Sequence, residues 1–445
     1  MGRRITCGKI VTLMAVALGM AFVLLFTLGS VRYGGAEGLW LRVRAEINTY
    51  QSHPSFVPTP LPTLTPRQVA SLPQPGDATP SPTLTLPLPS PTEGRSLPPT
   101  PTRIASPTAM PTFTQLPAPT PTPAHRPAAP SVELTGLTHA WQTWNNCGPV
   151  TLAMNLSYFG STLNQAQVGA ALRPNKEDKN VSPEELAAFA RSQGFRASAH
   201  VNGDAQRLRL LLSNGVPVLI ETWLEPEPGD GMGHYRLLTG YDDARGEWIA
   251  FDSYVSTGVD PKQPYRGIRL PYDDLARLWA VFNRAYVLVY TGDQAPAVLS
   301  ILGEDAGEAD MWQRALLSAQ EAVRQQPDDP FAWFNLGTDL VVAGHFEQAA
   351  NAYDRARVIG LPWRMLWYQF GPFRAYYETG RYQEVITLAD ATITVARDIE
   401  ELYYWKGLAL QVAGDPTGAR LAFERALALN PNYTEAVAAL ATVEE

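Results

Sequence analysis

Residues 141–160 read WQTWNNCGPVTLAMNLSYFG, and this stretch decides the fold of the domain around it. Cys147-Gly148-Pro149 opens a predicted helix: proline is at home in a first helical turn, where its missing N–H costs nothing. Leu152, Met154, Leu156 and Phe159 supply the apolar positions, and Gly160 ends the run. A cysteine at a helix start feels the positive end of the helix dipole, which lowers its pKa and favours thiolate. The other cysteine, Cys7, lies on the far side of an apolar segment, so no disulfide is expected and Cys147 is a free thiol.

Downstream, Ser182-Pro183-Glu184-Glu185 is a capping box with proline at the first helical position, opening a helix that ends near Gly194. A further helix is expected over Ala205–Leu212. Strand-like runs then alternate with turns at Val216–Trp223, His234–Tyr241, Glu247–Tyr254 and Arg284–Tyr290. Helices first and antiparallel strands afterwards predict an α+β domain over 131–293. A nucleophile on the leading helix would face a histidine and a carboxylate on later strands, which is the papain-like layout.

Three segments in order, WQTWNNCGPVTLAMNLSYFG, GHYRLLTGYD (233–242) and IAFDSY (249–254), resemble the bacteriocin-processing, or double-glycine, cysteine peptidases and their relatives. By this resemblance Cys147 is the nucleophile, His234 the general base and then acid, and Asp252 the group that orients the imidazole. Gln142 matches the glutamine that helps the Cys147 amide hold the oxyanion. The residue types suit thiol chemistry: a thiolate attacks, an imidazolium protonates the leaving amine, and a carboxylate fixes its tautomer. The family's usual members are fused to transporters and cut cytoplasmic leaders ending in Gly-Gly. No transporter is seen in this sequence, so that substrate is not carried over.

Other titratable residues fit less well. His53 and His125 fall in a proline-rich tract, His345 in a repeat, and His200 at a strand end; His139 matches no catalytic position. Asp242 and Asp243 sit in a DDARG turn, which explains them. Leu224–Gly233 (LEPEPGDGMG) reads as a loop before His234, able to border a cleft.

Towards the N-terminus, Ile10–Val31 carries no charge and has the length to cross a bilayer core of roughly 30 Å. Arg3, Arg4 and Lys9 precede it, which predicts a signal anchor (10–31) with a cytoplasmic tail (1–9) and a juxtamembrane segment (32–50). Residues 51–130 hold 23 of the 39 prolines, so neither helix nor sheet can propagate and a disordered Pro/Thr-rich stalk is expected. Its reach as polyproline-II is on the order of 200 Å. The catalytic domain is thereby expected outside a cell membrane. The net charge of −8 favours neither nucleic acid nor an anionic surface as partner. No metal-ligand cluster or phosphate loop occurs, and no cofactor is expected.

A period near 34 marks residues 303–445. Trp333-x-x-Leu336-Gly337 leads to Gly344, Ala349, Tyr353, Ala356 and Pro362; Tyr403-x-x-x-Gly407 leads to Gly414, Ala419, Phe423, Ala426 and Pro431. Trp367-x-x-Phe370-Gly371 and Gly380 open a degenerate middle unit, and Ala315 to Pro327 resembles half of a leading one. The pattern resembles the tetratricopeptide repeat, which implies an all-α superhelix that binds peptides or proteins. Small residues at helix crossings and large aromatics are then packing residues. Three functions follow as expectations: a membrane-anchored cysteine peptidase whose repeats recruit substrate, a non-hydrolytic adaptor, or a thiol acyltransferase sharing the same thioester.

Overall fold

The computed structural model describes residues 56–61, 124–226, 231–256, 259–260 and 262–443. The expected tail, the 10–31 membrane span, the juxtamembrane segment, most of the 51–130 linker and residues 227–230 of the loop before His234 lie outside them. Among the described residues, no helix is long and apolar enough to cross a membrane.

The leading domain is α+β, as its sequence pattern predicts. After a short strand β1 (Ser131–Glu133) come helices α1 (Cys147–Tyr158), α2 (Gln165–Leu172) and α3 (Pro183–Ser192). Then follow β2 (Arg196–His200), α4 (Ala205–Ser213), β3 (Val218–Leu224), β4 (Met232–Asp242), β5 (Glu247–Phe251), β6 (Ile268–Pro271), α5 (Tyr272–Ala280), β7 (Tyr286–Tyr290) and α6 (Ala295–Leu302). The sheet is antiparallel in the order β2-β7-β3-β4-β5-β6, with β1 also paired to β4.

Every residue from Gly148 to Leu156 in α1 is buried. A helix with so many buried positions must be enclosed on several sides, and α1 lies between α3 and one sheet face, with Leu152, Met154 and Leu156 against Leu186, Leu219, Tyr235, Leu237 and Val287. Alternate residues of β3, Val218 and Ile220, face the other way and pack with Leu208 and Leu211 of α4 and Trp279 of α5. With both faces covered, β3 is buried along its whole length. The capping box of α3 is formed: Glu185 N donates to Ser182 Oγ at 3.3 Å, and Ser182 N donates to Glu185 Oε2 at 2.7 Å.

Two strands are shorter than expected. The run Glu247–Tyr254 leaves the sheet after Phe251, because the Asp252 carboxylate accepts the N–H groups of Tyr254 and Val255 at 2.7 and 2.8 Å and turns the chain. The run Arg284–Tyr290 starts only at Tyr286, since Asn283 and Arg284 have φ of 51° and 50°, outside strand geometry.

The helices α7 (Glu308–Gln325), α8 (Pro330–Val342), α9 (Phe346–Ile359), α10 (Gly371–Glu378), α11 (Tyr382–Val395), α12 (Glu400–Val412), α13 (Pro416–Leu429) and α14 (Thr434–Val443) form the second domain. The small residues of the repeat pattern serve close crossings. A Cβ on Gly337 would stand 2.7 Å from the Tyr353 ring, and one on Gly407 2.4 Å from Phe423. In the degenerate middle unit a 3-10 turn, Trp363–Trp367, precedes the short helix α10.

This domain packs directly on the first. Asn283 Nδ2 donates to Asp339 Oδ1 at 2.6 Å, Asn335 Nδ2 to the Ala280 carbonyl at 2.7 Å, and Arg364 Nη1 to the Gly231 carbonyl at 3.2 Å. Trp223 and Phe282 enter the same apolar cluster as Phe334, Leu366 and Phe373. One part of the tract read as a free spacer is also bound: Val57 is buried in that cluster.

Candidate functional site

Four elements bring the expected residues together. Cys147 begins α1, His234 lies near the start of β4, Asp252 follows β5, and Gln142 lies on the segment leading into α1. The His234 imidazole is hydrogen-bonded to Asp252, Nε2 to Oδ1 at 3.1 Å, and interacts electrostatically with the Cys147 thiol. Because Nε2 is taken by the carboxylate, Nδ1 is the nitrogen left for sulfur. His234 and Asp252 are 3% and 0% exposed, so their charges interact in a low dielectric.

The electrostatics follow from that burial. Burial opposes charging His234, but Asp252 and Cys147 outweigh it and raise its pKa to about 9. Burial likewise pushes the Cys147 thiol up; His234, the Tyr235 amide and Arg173 more than reverse this and hold it below an ordinary thiol. Asp252 is held well below the usual carboxylate range: against burial act His234, Arg236 and the Val255 amide. Both shifts favour a thiolate beside an imidazolium, backed by a carboxylate. That combination can attack a carbonyl carbon and hand a proton to the group that leaves.

The surroundings fix this arrangement. Asn145, in a left-handed conformation (φ 53°), turns the chain into α1. The Asn146 side chain does not cap α1; it accepts from Arg173 Nη2 at 2.8 Å and donates to Gln165 Oε1 at 3.0 Å. The first N–H groups of α1 thus have no side-chain cap and point towards the thiol's end of the helix. Gln142 is tied to the residue after Asp252: its N–H donates to the Ser253 carbonyl at 3.0 Å, and its Oε1 accepts from Ser253 Oγ at 2.9 Å. This leaves the amide nitrogen of Gln142 as its donor.

Several contributors escape a motif-based reading. Arg236, two residues beyond His234 on β4, donates from Nε to Asp252 Oδ2 at 2.9 Å and also contacts Thr222 Oγ1. Alternation along a strand puts positions 234 and 236 on one face, so the spacing was the available signal. His139 holds the backbone of Asp252, with its Nε2 2.8 Å from the carbonyl, and stacks on Tyr265 at 3.5 Å. It props the Asp252 backbone. His200 bonds Ser198 at 2.7 Å and stacks on Tyr286. Asp242 and Asp243 keep the turn role expected of them: Asp242 accepts from Ala244 N, and Asp243 from Tyr272 and Arg209.

Glu221 on β3 lines the same narrow cavity as Cys147, together with Lys179, Gly233, Tyr235 and Tyr368. Burial, then the charge of Cys147, raises its pKa to about 8, so it is mostly neutral at pH 7. Tyr368 comes from the repeats. Its ring lies over Gly233, where a Cβ would stand only 3.0 Å from it, and against Phe282. The cavity beside the thiol is about 10 Å³, room for a single water.

Among known proteins, residues 134–284 match the Peptidase_C39 like family and residues 400–433 the tetratricopeptide repeat. The chain carries a C39-like domain followed by tetratricopeptide repeats. Among solved structures, a protein described as a C39-like peptidase from Bacillus anthracis is 16% identical over 36% of this chain and 98% of its own (TM-score 0.28). MamA 41-end from Desulfovibrio magneticus RS-1 is 18% identical over 31% of this chain and 76% of its own (TM-score 0.28). YrrB, described as a TPR protein with an unusual peptide-binding site, is 14% identical over 31% and 69% (TM-score 0.27). No curated protein matches. The C39-like domain holds all four candidate residues, and the repeats contribute Tyr368 to its cavity.

Proposed function

We propose that the protein is a thiol hydrolase of peptide bonds, held at a membrane by residues 10–31 with its C39-like domain outside the cytoplasm. The observation that carries the chemistry is the His234–Asp252 pair, with Cys147 close enough to couple to His234, at an uncapped helix start. In this reading the Cys147 thiolate attacks the scissile carbonyl, while Gln142 and the Cys147 amide receive the oxyanion. His234 gives its proton to the leaving amine, then takes one from the water that opens the thioester. Asp252, fixed by Arg236 and two backbone amides, keeps the imidazole oriented. The repeats would dock a peptide or protein.

Cleavage of a peptide library by the detergent-solubilised full chain, set beside Cys147→Ala, tests this. Turnover that vanishes in the variant is expected; equal turnover, or none by either, overturns it. One observation favours a non-hydrolytic adaptor as the second reading: Tyr368 of the repeats closes one side of the narrow cavity that Cys147 lines. A thioester captured by an added amine would instead indicate acyl transfer.

A further inference from the structure

Phe56–Leu61 (FVPTPL) lies against the repeat domain, joined to it by a single bridge and otherwise without regular secondary structure. Phe56 forms an antiparallel bridge with Pro362, and Val57 N donates to the Leu361 carbonyl at 2.8 Å. Val57 is only 4% exposed and packs into the core of the repeats. Two charged side chains then read the backbone. Arg357 Nε donates to the Pro58 carbonyl at 2.8 Å, and Leu61 N donates to Glu384 Oε2 at 3.0 Å.

Arg357 and Glu384 form an ion pair at 2.6 Å, each side chain 2% exposed. A buried guanidinium or carboxylate that loses a hydrogen bond pays the desolvation of that group. Their contacts to Pro58 and Leu61 therefore call for an occupant with a carbonyl and an N–H three residues apart. Pro58 and Pro60 carry no N–H, so an extended proline-containing segment brings few donors needing partners. Position 57 takes a small branched apolar side chain.

We propose, on the reading of the repeats as a docking module, that Leu361, Pro362, Arg357 and Glu384 form a recognition site for extended, proline-containing peptides, filled in cis by Phe56–Leu61. A tethered ligand holds such a site at high effective concentration, so the wild-type chain is closed to similar peptides. The site is independent of peptide cleavage, which is a separate readout.

The test uses the full chain in detergent and a fluorescent peptide with the sequence of residues 54–63, followed by anisotropy. Val57→Asp in the chain should bind the peptide at least about tenfold more tightly than wild type, as expected when an effective concentration no longer competes. The same peptide carrying aspartate at the Val57 position should not bind either chain. Equal binding by the two chains, or a folded variant that binds nothing, overturns the proposal. Should the variant lose its helical signal, residue-resolved hydrogen exchange of the wild type decides: Val57 and Leu61 amides must exchange more slowly than that of exposed Thr59, and equal rates overturn the proposal.

Discussion

Two buried charge networks, one in the C39-like domain and one in the repeats, use the same residue types in opposite ways. Around Asp252 two basic groups, His234 and Arg236, converge on one carboxylate, and the imidazole is coupled to the Cys147 thiol. In the repeats Arg357, Arg381, Asp354 and Glu384 balance two positive charges with two negative ones: Arg357 pairs with Glu384 at 2.6 Å and Arg381 with Asp354 at 2.7 Å, while Tyr376 bridges Arg357 and Asp354. The first network ends on the Cys147 thiol. The second ends on peptide groups of Phe56–Leu61. Balance suits a scaffold, whereas titratable groups held away from their ordinary pKa beside a thiol suit chemistry.

The sharpest way to break this comparison is to cut each network at one residue and read both activity and stability. Asp252→Asn should reduce any turnover by about 10²–10⁴-fold, because the imidazole loses the partner that sets its tautomer. Glu384→Ala should leave that turnover in place but lower the unfolding free energy by about 3–5 kcal/mol in denaturant melts, since Arg357 is then buried without its counter-charge. A Glu384→Ala chain as stable as wild type would remove the distinction.

A smaller effect concerns pH. Glu221 is raised to about 8 from an unfolded value near 4.5, so between these values the folded chain holds a proton that the unfolded chain releases. Stability therefore falls as pH rises through that window. Glu221→Gln should flatten this slope in melts recorded from pH 5 to 8, and an unchanged slope would contradict the assignment. The smallest expected change is kinetic: Tyr368→Ala should speed alkylation of Cys147 several-fold by opening the cavity, with its pH profile unaltered.

Much of the C39-like domain was legible in local patterns. The Cys147-Gly148-Pro149 helix start, the Ser182–Glu185 capping box and the run around His234 are each decided by short-range chemistry. Strand ends were harder, because Asp252 stops β5 with its own side chain, and no hydrophobic pattern reports that. Arg236 and Glu221 were missed because their roles depend on which strand lies beside which. The hold of His139 on the Asp252 carbonyl spans 113 residues of sequence. Tyr368 fits the repeat pattern as just another aromatic, and only domain packing brings it to the thiol. The same holds for Phe56–Leu61, whose proline content reads as a spacer although its bonds lie some three hundred residues away.

The central claim is that the proton of the Cys147–His234 pair resides on the imidazole, leaving a thiolate. Its most direct measure is the alkylation rate of Cys147 against pH, resolved by peptide mapping, for the wild type and His234→Ala. The account predicts a wild-type rate that is already high well below the ordinary thiol pKa, and a variant whose rate rises only at alkaline pH. A wild-type profile that climbs like an ordinary thiol, unchanged by the substitution, would contradict it.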